Sequence, residues 1–209
     1  MEKLDLKKQL KHLYLPSAEK VEILEVPPMK FVMIDGSIEP GQTPETSPAF
    51  QEAFPALYGA AYTLKFMSKL RAENPVDYTV MPLEGLWWTD SGEIDFGGNN
   101  PWNWTLMIMQ PDHITEGMFQ EALGDLRKKK GGPALERLRF ETFHEGLCVQ
   151  IMHVGPYDQE PATIEKMRSF ARENGYQVAG KHHEIYMGDP RRTKPEKLKT
   201  VLRLPLKKL

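Results

Sequence analysis

Two segments of the chain carry a glutamate in the middle of a strand-forming run, and the two segments echo each other. The first spans Asp77–Trp88 around Glu84, and the second spans Gln177–Pro190 around Glu184. Aligning the two glutamates also aligns their surroundings, because an apolar strand and a helix precede each run and one more apolar strand follows it. A duplicated module is expected to fold as a pseudo-symmetric pair, and the seam between the halves is a natural place for a ligand cleft.

Hydrophobic periodicity gives both halves the same order of elements: strand, helix, strand and strand. This order favours antiparallel pairing with the helices on one face of each sheet. The predicted fold class is therefore α+β, with two pseudo-symmetric repeats and a ligand cleft at their seam. The predicted boundaries are an N-terminal lead-in over 1–19 and one domain over 20–209, made of a first repeat at about 20–112, linker helices at about 113–145 and a second repeat at about 146–209.

Local signals refine the first repeat. The segment Lys20–Ile34 is predicted as strand from its content of Val, Ile and Phe. Ser47 followed by Pro48 predicts the start of a helix, because Ser is a good N-cap and Pro suits the first helical position. Pro55 lies inside the same helical pattern, so it predicts either a kink or the start of a second helix.

Composition and charge exclude several classes of function. The chain has 209 residues and a formal net charge of −2, so no basic surface for nucleic acid or for an anionic membrane is expected. The single cysteine, Cys148, excludes a disulfide within the chain. A charged N-terminus without a signal-peptide core, and no apolar run of membrane-spanning length, predict a cytoplasmic protein.

The sequence contains no pattern that predicts a metal or another cofactor. His182 and His183 are adjacent, so their side chains diverge in a strand and cannot share one ion, and His144 and His153 add no ligand spacing. The run Gly97-Gly98-Asn99-Asn100 predicts a turn and not a phosphate-binding loop. We therefore expect no metal and no cofactor.

Glu184 is the leading candidate for a functional residue. Strand alternation places His182, Glu184 and Tyr186 on one face of the sheet. An exposed sheet face would accommodate a glutamate equally well, but the duplicated position favours a function. In an apolar cavity the pKa of Glu184 would rise toward that of a general base near neutral pH, whereas an ionised Glu184 would attract a cationic ligand.

The second group of candidates consists of Glu84 and the tryptophans. Alternation places Glu84 on the same face as Trp88, and a solvated strand glutamate is an equally good interpretation of Glu84. Trp102 and Trp104 share one strand face. We predict that Trp88, Trp102 and Trp104 line a pocket and stack on planar aromatic ligands. Trp87, opposite in phase to Trp88, is predicted to pack in the core.

Three tyrosines are candidate hydrogen-bond donors to a ligand. Tyr157 follows a Gly-Pro turn, where it either packs against the turn or points its hydroxyl group across the cleft. Tyr58 on the first helix and Tyr186 beside Glu184 compete for the same role, and the sequence does not rank the three.

Several motifs of the second half together resemble one known family. Gly155-Pro156-Tyr157, a helix, Gly175-Tyr176, Glu184-Ile185-Tyr186 and Asp189-Pro190 are similar in order and spacing to the GyrI-like small-molecule-binding family. The resemblance is strong over Gly146–Leu209 and weaker over the first half. It implies two repeats around a pseudo-two-fold axis, with Glu184 in the ligand cavity.

The resemblance also implies a range of functions. Many members of the family carry an N-terminal DNA-binding domain and act as drug-sensing regulators, but fewer than two dozen residues precede the first predicted strand here. A stand-alone, tryptophan-rich chain looks like the subgroup that opens the cyclopropane ring of cyclopropanoid genotoxins. By this resemblance we expect an aromatic or lipophilic small-molecule ligand and a detoxifying hydrolase, with Glu184 activating water and Tyr157 as donor.

Two alternatives remain open at this point. The same pocket could bind, sequester or sense drugs without turnover, as multidrug-binding members of the family do. The family name also implies a protein-interaction module that inhibits gyrase. A water-positioning group beside Glu184 would favour catalysis, and a large exposed apolar patch would favour a protein partner.

Overall fold

A computed structural model of the protein describes residues 3–90, 101–129 and 131–209. The helices are α1 (Leu6–Gln9), α2 (Lys11–Tyr14), α3 (Pro48–Leu70), α4 (Glu116–Lys129), α5 (Pro133–Glu136) and α6 (Glu160–Glu173), with short 3-10 turns at Tyr157–Gln159 and Pro195–Lys197. The strands are β1 (Lys3–Leu4), β2 (Glu22–Val26), β3 (Met29–Ile38), β4 (Asp77–Tyr78), β5 (Leu83–Trp88), β6 (Trp102–Gln110), β7 (Arg139–Phe143), β8 (Gly146–Val154), β9 (Tyr176–Val178), β10 (His182–Tyr186) and β11 (Lys199–Lys208). The turn predicted at 97–100 lies outside the described residues.

One antiparallel sheet organises the molecule. Its strands follow the order β2-β8-β11-β10-β5-β6-β3-β7, and β9 extends it by pairing with part of β11. β1 and β4 form a separate parallel pair. The prediction of an α+β fold with antiparallel pairing is confirmed, but the strands of the two halves join into a single sheet rather than forming two.

The two glutamate strands meet at the middle of this sheet. In the antiparallel pairing of β5 with β10, Glu184 lies opposite Gly85, and Glu84 lies opposite Ile185. Residues paired across two strands point to the same face, so the two glutamates point to opposite faces. The order of strands outward from this junction is symmetric, although a duplication of the sequence stays a prediction.

Both long helices that flank the junction cover the same face of the sheet. Phe50 of α3 packs against Trp87 of β5, with ring centroids 5.6 Å apart. Met167 of α6 packs in one apolar cluster with Leu202 of β11. Leu202 pairs with Glu184, so all these contacts lie on the face that carries Glu184. The prediction of helices on one face is therefore confirmed for the long helices, whereas Tyr14 of the short α2 contacts Glu84 on the opposite face.

Helix α3 starts as the sequence predicts, but it does not divide. The Ser47 side chain caps it by accepting a hydrogen bond from the Phe50 backbone N–H, and Pro48 occupies the first turn. Pro55 lies inside the helix, which runs without a break from Pro48 to Leu70. No second helix starts at Pro55, so Phe50 and Tyr58 lie on one continuous helix.

Two segments contain secondary structure beyond what the predicted boundaries describe. The predicted lead-in folds into α1 and α2, which bury Leu6, Leu13 and Tyr14 in the main core. The predicted linker helices are α4 and α5, but this stretch also contains β7, which pairs with β3 of the first half. Conversely, β2 precedes the first half and pairs with β8 of the second half. Among the described residues, no helix combines the length and the apolar character needed to cross a membrane.

Candidate functional site

The candidate site lies on the helix-covered face of the sheet, where β10 passes between α3 and α6. Strand alternation places His182, Glu184 and Tyr186 on this face, as the sequence predicts. Glu184 is only 8% exposed and His182 is 5% exposed. A charged group is rarely buried without partners, so the surroundings of Glu184 decide what it can do.

Both carboxyl oxygens of Glu184 accept hydrogen bonds. The His182 ring donates from Nε2 to Oε1 over 2.9 Å, and the Tyr186 hydroxyl donates to Oε2 over 2.6 Å. Burial alone would raise the pKa of Glu184, but these hydrogen bonds and the nearby charge of His183 hold it below the usual value. Glu184 is therefore an ionised carboxylate at neutral pH, and the rise in pKa expected for an apolar cavity does not occur because the site is polar.

A second buried carboxyl group faces Glu184 from α6. Glu160 is the first residue of that helix and only 2% exposed, and its Oε1 has no hydrogen-bond partner among the described residues. Burial, the negative charge of Glu184 and hydrogen bonding to it raise the pKa of Glu160 to about 9, although Thr200 acts in the opposite direction. Two neighbouring carboxyl groups therefore differ in protonation at neutral pH, an arrangement that can supply both an acid and a base.

The same groups have the spacing of a possible ion site. Donor atoms of Glu160, His182 and Glu184 all lie within 4.8 Å of one another. Two carboxylates and one imidazole could hold a divalent cation. The expectation that the chain binds no metal consequently stays a prediction.

Aromatic rings wall the site on the side of α3. The Trp87 indole donates from Nε1 to the Tyr186 hydroxyl over 3.1 Å. The Trp87 ring contacts Phe50 and the Trp102 ring, with the two indole centroids 6.4 Å apart. Trp104 is fully buried and meets Phe50 edge to face at 5.2 Å. Trp102 and Trp104 thus belong to this wall together with Trp87, and the stacking of a planar ligand on them stays a prediction.

Gly85 allows this wall to approach the strands closely. A Cβ atom on Gly85 would lie 2.8 Å from Trp87 Nε1 and 3.1 Å from the Tyr186 hydroxyl oxygen. Gly85 is also the residue that pairs with Glu184 across the sheet. The absence of a side chain at this position lets the Trp87–Tyr186–Glu184 series of hydrogen bonds lie directly on the backbone.

Of the other two candidate tyrosines, Tyr157 lies beside Tyr186, and Tyr58 lies on α3. The Tyr157 ring packs edge to face on Tyr186, with centroids 6.1 Å apart, and Tyr157 is 40% exposed. Burial and the charge of Glu184 raise the pKa of Tyr157 to about 12, so its hydroxyl group keeps its proton at neutral pH. Tyr58 stacks with Tyr62 on α3, and burial together with Tyr62 and Asp189 raises its pKa.

Two predicted site residues lie on the opposite face of the sheet. Glu84 is fully buried there, where its carboxylate accepts hydrogen bonds from the Tyr14 hydroxyl over 2.8 Å and from His183 Nε2 over 3.0 Å. Trp88 also points to that face, and the Lys181 ammonium group lies 3.4 Å from its ring centroid. The sheet separates both residues from Glu184, so neither belongs to the cluster around it.

Glu84 belongs to a second buried polar network. His183 donates from Nδ1 to Glu145 over 2.9 Å, and Arg203 donates to the other Glu145 oxygen over 3.0 Å. Burial alone would lower the pKa of His183, but Glu145 and Glu84 raise it to about 9. Burial alone would raise the pKa of Glu145, but His183 and Arg203 lower it to about 2. These opposing charges neutralise each other, which is typical of a structural network.

A surface groove of about 670 Å³ lies elsewhere, where β8 borders α6. Its lining includes Met152, His153, Thr163 and Lys166 but none of the residues around Glu184. The His153 ring is already bonded to the Thr163 hydroxyl and to the Pro156 carbonyl oxygen. The imidazole of the groove therefore has both nitrogens engaged, whereas the Glu184 cluster contains an ionised carboxylate and an unpartnered carboxyl oxygen. We place the candidate site at Glu184.

Two residues of the site escaped the sequence analysis. Glu160 stands immediately before Pro161 at the start of a helix, where an acidic residue normally interacts with the helix dipole at the surface. Trp87 alternates with Trp88, and the sequence alone does not tell which of the two faces the helices. The packing of α6 against the sheet settles the first question, and the register of β5 with β10 settles the second. Both are properties of the folded molecule.

Comparison with known proteins adds independent information. A sequence profile of the GyrI-like small molecule binding domain matches residues 19–207. Among curated proteins, none matches the chain. Three solved structures of Listeria innocua proteins are similar over 98% or 99% of this chain and 100% of their own, each at 40% sequence identity. One is described as an uncharacterized conserved protein, with a TM-score of 0.89, and two are described as hydrolases, with TM-scores of 0.84 and 0.87.

Proposed function

Because this chain belongs to the GyrI-like small-molecule-binding family, we propose that it is a hydrolase that opens the cyclopropane ring of planar, hydrophobic genotoxins. The observation that carries the proposal is the ionised, buried Glu184 beside an aromatic wall. The two similar Listeria innocua proteins described as hydrolases support the same class of reaction. The cellular role would be protection, because hydrolysis disarms an alkylating agent.

In this proposal Glu184 acts as the general base. A water molecule loses a proton to the Glu184 carboxylate while its oxygen forms a bond to the cyclopropane CH₂ carbon. His182 and Tyr186 orient the carboxylate through their hydrogen bonds to it. A base fixed in this way stays aligned with its water, and alignment is a large part of the rate enhancement in such reactions.

The remaining electron flow requires a proton donor. As the new C–O bond forms, the C–C bond to the spiro carbon breaks, and its electron pair moves through the dienone to the carbonyl oxygen. That oxygen takes a proton and becomes a phenol, so the product is the substrate plus one water. Tyr157 is the proposed hydrogen-bond donor to the developing negative charge on that oxygen, because its hydroxyl keeps its proton, lies beside Tyr186 and remains partly exposed. The proton that the phenol takes up balances the one that Glu184 removed from water and releases to solvent, so both side chains return to their starting state.

The aromatic residues would hold the flat part of the substrate. Trp87 and Trp102 offer ring faces or edges beside the Glu184 cluster, and planar ligands pack well against such surfaces. Tyr58, which stacks with Tyr62 on α3, is proposed to contact the ligand as well. Glu184 is mostly covered by protein in this state. Entry of a ligand therefore requires side chains at the partly exposed Tyr157 to move.

A second candidate function is non-catalytic binding of a lipophilic cation. An ionised carboxylate among tyrosine and tryptophan rings is a favourable environment for a cation, through both charge and cation–π attraction. In this case the protein would sequester or sense its ligand and release it unchanged.

The test is turnover of a spirocyclopropyl cyclohexadienone, followed by chromatography and mass spectrometry. We expect wild-type protein to form a product heavier by one water over many turnovers, and Glu184→Gln to slow this reaction at least ~100-fold. Glu165→Gln is the matched control, because Glu165 lies on α6 but is exposed and paired with Arg172. Intact compound that binds to wild-type protein without turnover would instead favour the binding function.

A further inference from the structure

We propose that Glu160 is a second catalytic carboxyl group of this site, which holds the attacking water in place together with Glu184. The inference rests on the proposed hydrolysis. It adds a residue that is far from Glu184 in sequence and that enters the site from a different element, the first turn of α6.

The geometry around Glu160 carries the proposal. One of its carboxyl oxygens lies within 4.8 Å of donor or acceptor atoms of His182 and Glu184. Its Oε1 is buried and has no hydrogen-bond partner in the described part of the chain. An unpartnered buried carboxyl oxygen is costly to the fold, so such an atom is typically retained where a ligand or a water uses it.

Glu145 is a buried carboxyl group in a structural network, and its partners differ from those of Glu160. Both carboxyl groups are buried, but Glu145 is bonded to His183 and Arg203, two cationic partners that satisfy it. The groups that shift the pKa of Glu160 are the Glu184 carboxylate and the Thr200 hydroxyl, neither of which is cationic, and the His182 ring nearby is bonded to Glu184. Glu160 is therefore placed where a proton or a bound polar molecule has to complete its surroundings.

A protonated Glu160 can accept a hydrogen bond from the water without placing a second negative charge beside Glu184. It leaves Glu184 as the only charged acceptor, and its own oxygen can accept the second hydrogen of the water. Two acceptors on one water fix the direction of the remaining lone pair, which then points at the carbon to be attacked. Glu184 alone takes the proton from water, and Glu160 neither gains nor loses one. The stoichiometry of the reaction is therefore the same with and without Glu160.

This role predicts a specific dependence on pH. The groups that face Glu160 and Glu184 are His182 and Tyr186 from β10, Tyr157 from the preceding turn and Thr200 from β11. The charge of His183 also acts on Glu184 from the opposite face of the sheet, and its pKa of about 9 falls in the same range. As pH rises through about 9, Glu160 loses its proton and a second negative charge appears beside Glu184. Repulsion between the two carboxylates then disrupts the water site, so turnover falls on the alkaline side.

The experiment measures kcat and KM from about pH 6 to about pH 10.5 for wild type, Glu160→Ala and Glu160→Gln, with Glu165→Gln as the exposed control on the same helix. We expect Glu160→Ala to lower kcat roughly 100-fold with little change in KM. Glu160→Gln should retain more activity, because its amide oxygen can still accept from water, and should lose the part of the fall in activity near pH 9 that is due to Glu160. The control should keep the wild-type profile.

Four results would overturn the inference. The first is an unchanged kcat in Glu160→Ala, and the second is a pH profile of Glu160→Gln that is identical to that of wild type on the alkaline side, because loss of charge on His183 accounts for only a part of the fall that both proteins share. The third needs no variant: wild-type activity that stays constant through pH 9 excludes the role even if a variant fails to fold. The fourth is loss of activity in a chelator and recovery with a divalent ion, which would show that Glu160, His182 and Glu184 bind a metal ion. Absence of turnover by wild type would instead contradict the proposed hydrolysis itself.

Discussion

Gly85 shows how a single missing side chain shapes the candidate site. A methyl group at this position would overlap Trp87 Nε1 and press on the Tyr186 hydroxyl, the two atoms that precede Glu184 in its hydrogen-bond series. We expect Gly85→Ala to destabilise the protein by about 1–3 kcal/mol and to lower turnover at least ~10-fold, because crowded rings must leave their positions. Urea unfolding and the hydrolysis assay measure the two effects.

The matched control for this change is Gly124→Ala. Gly124 lies inside α4, and a Cβ atom there would meet nothing within 4 Å. Alanine favours a helix over glycine, so this variant should gain about 0.5–1 kcal/mol and keep full activity. Equal behaviour of the two variants would mean that the close approach at Gly85 has no consequence.

At the scale of residues, the sequence predicts correctly those features that depend on a single strand. Alternation along β10 correctly grouped His182, Glu184 and Tyr186, because side-chain direction follows from position in a strand. It could not find Glu160, since nothing within α6 tells that its first turn is buried against β10. Nor could it show that Glu84 faces away from Glu184, because that depends on the register between β5 and β10.

At the scale of elements, the short helices α1 and α2 are the least expected part of the fold. Tyr14 donates its hydroxyl to Glu84, and Arg203 donates to the Leu13 carbonyl oxygen, so the N-terminal segment closes over the second polar network. We expect Tyr14→Phe to destabilise the protein by about 1–3 kcal/mol, because one oxygen of a fully buried carboxylate loses its partner. Equilibrium unfolding in urea measures the effect.

Tyr62→Phe provides the comparison for Tyr14→Phe. Tyr62 is nearly half exposed on α3, so water replaces any hydrogen bond that its hydroxyl loses. The stability of this variant should stay within about 0.5 kcal/mol of wild type. A Tyr14→Phe protein as stable as Tyr62→Phe would show that the N-terminal helices contribute little through this contact.

The order of helices and strands could largely be predicted, whereas their partners could not. Periodicity and capping signals placed α3, α6, β8, β10 and β11. The exchange of edge strands, in which β2 joins the second half and β7 the first, has no local signal. It depends on which exposed sheet edge each strand reaches once the halves have joined, and this is decided by tertiary packing.

At the scale of the whole molecule, a buried charge network lies behind the junction of the two halves. His183 on β10 donates to Glu84 on β5 and to Glu145 before β8, and Glu145 in turn binds Arg203 on β11. The raised pKa of His183 and the lowered pKa of Glu145 describe the same interaction, so their effects on stability are not additive. Each nevertheless sets one end of the pH range in which the network is complete.

The pH dependence of unfolding follows from these shifts. His183 has a folded pKa of about 9, above its ordinary value, so its contribution is complete below about pH 6.5 and is lost as pH rises through 9. The Glu145 contribution is complete above about pH 4.5 and is lost as pH falls through 2. Glu160, with a raised pKa, also lowers stability as pH rises from about 4.5 to 9, so the effect of His183 has to be isolated by comparing variants.

We expect the difference in unfolding free energy between wild type and His183→Gln to shrink from pH 6 to pH 10, whereas exposed His144→Gln stays equal to wild type throughout. A difference that is constant over this range would mean that His183 is neutral in the folded protein, and that hydrogen bonding rather than charge joins the two halves.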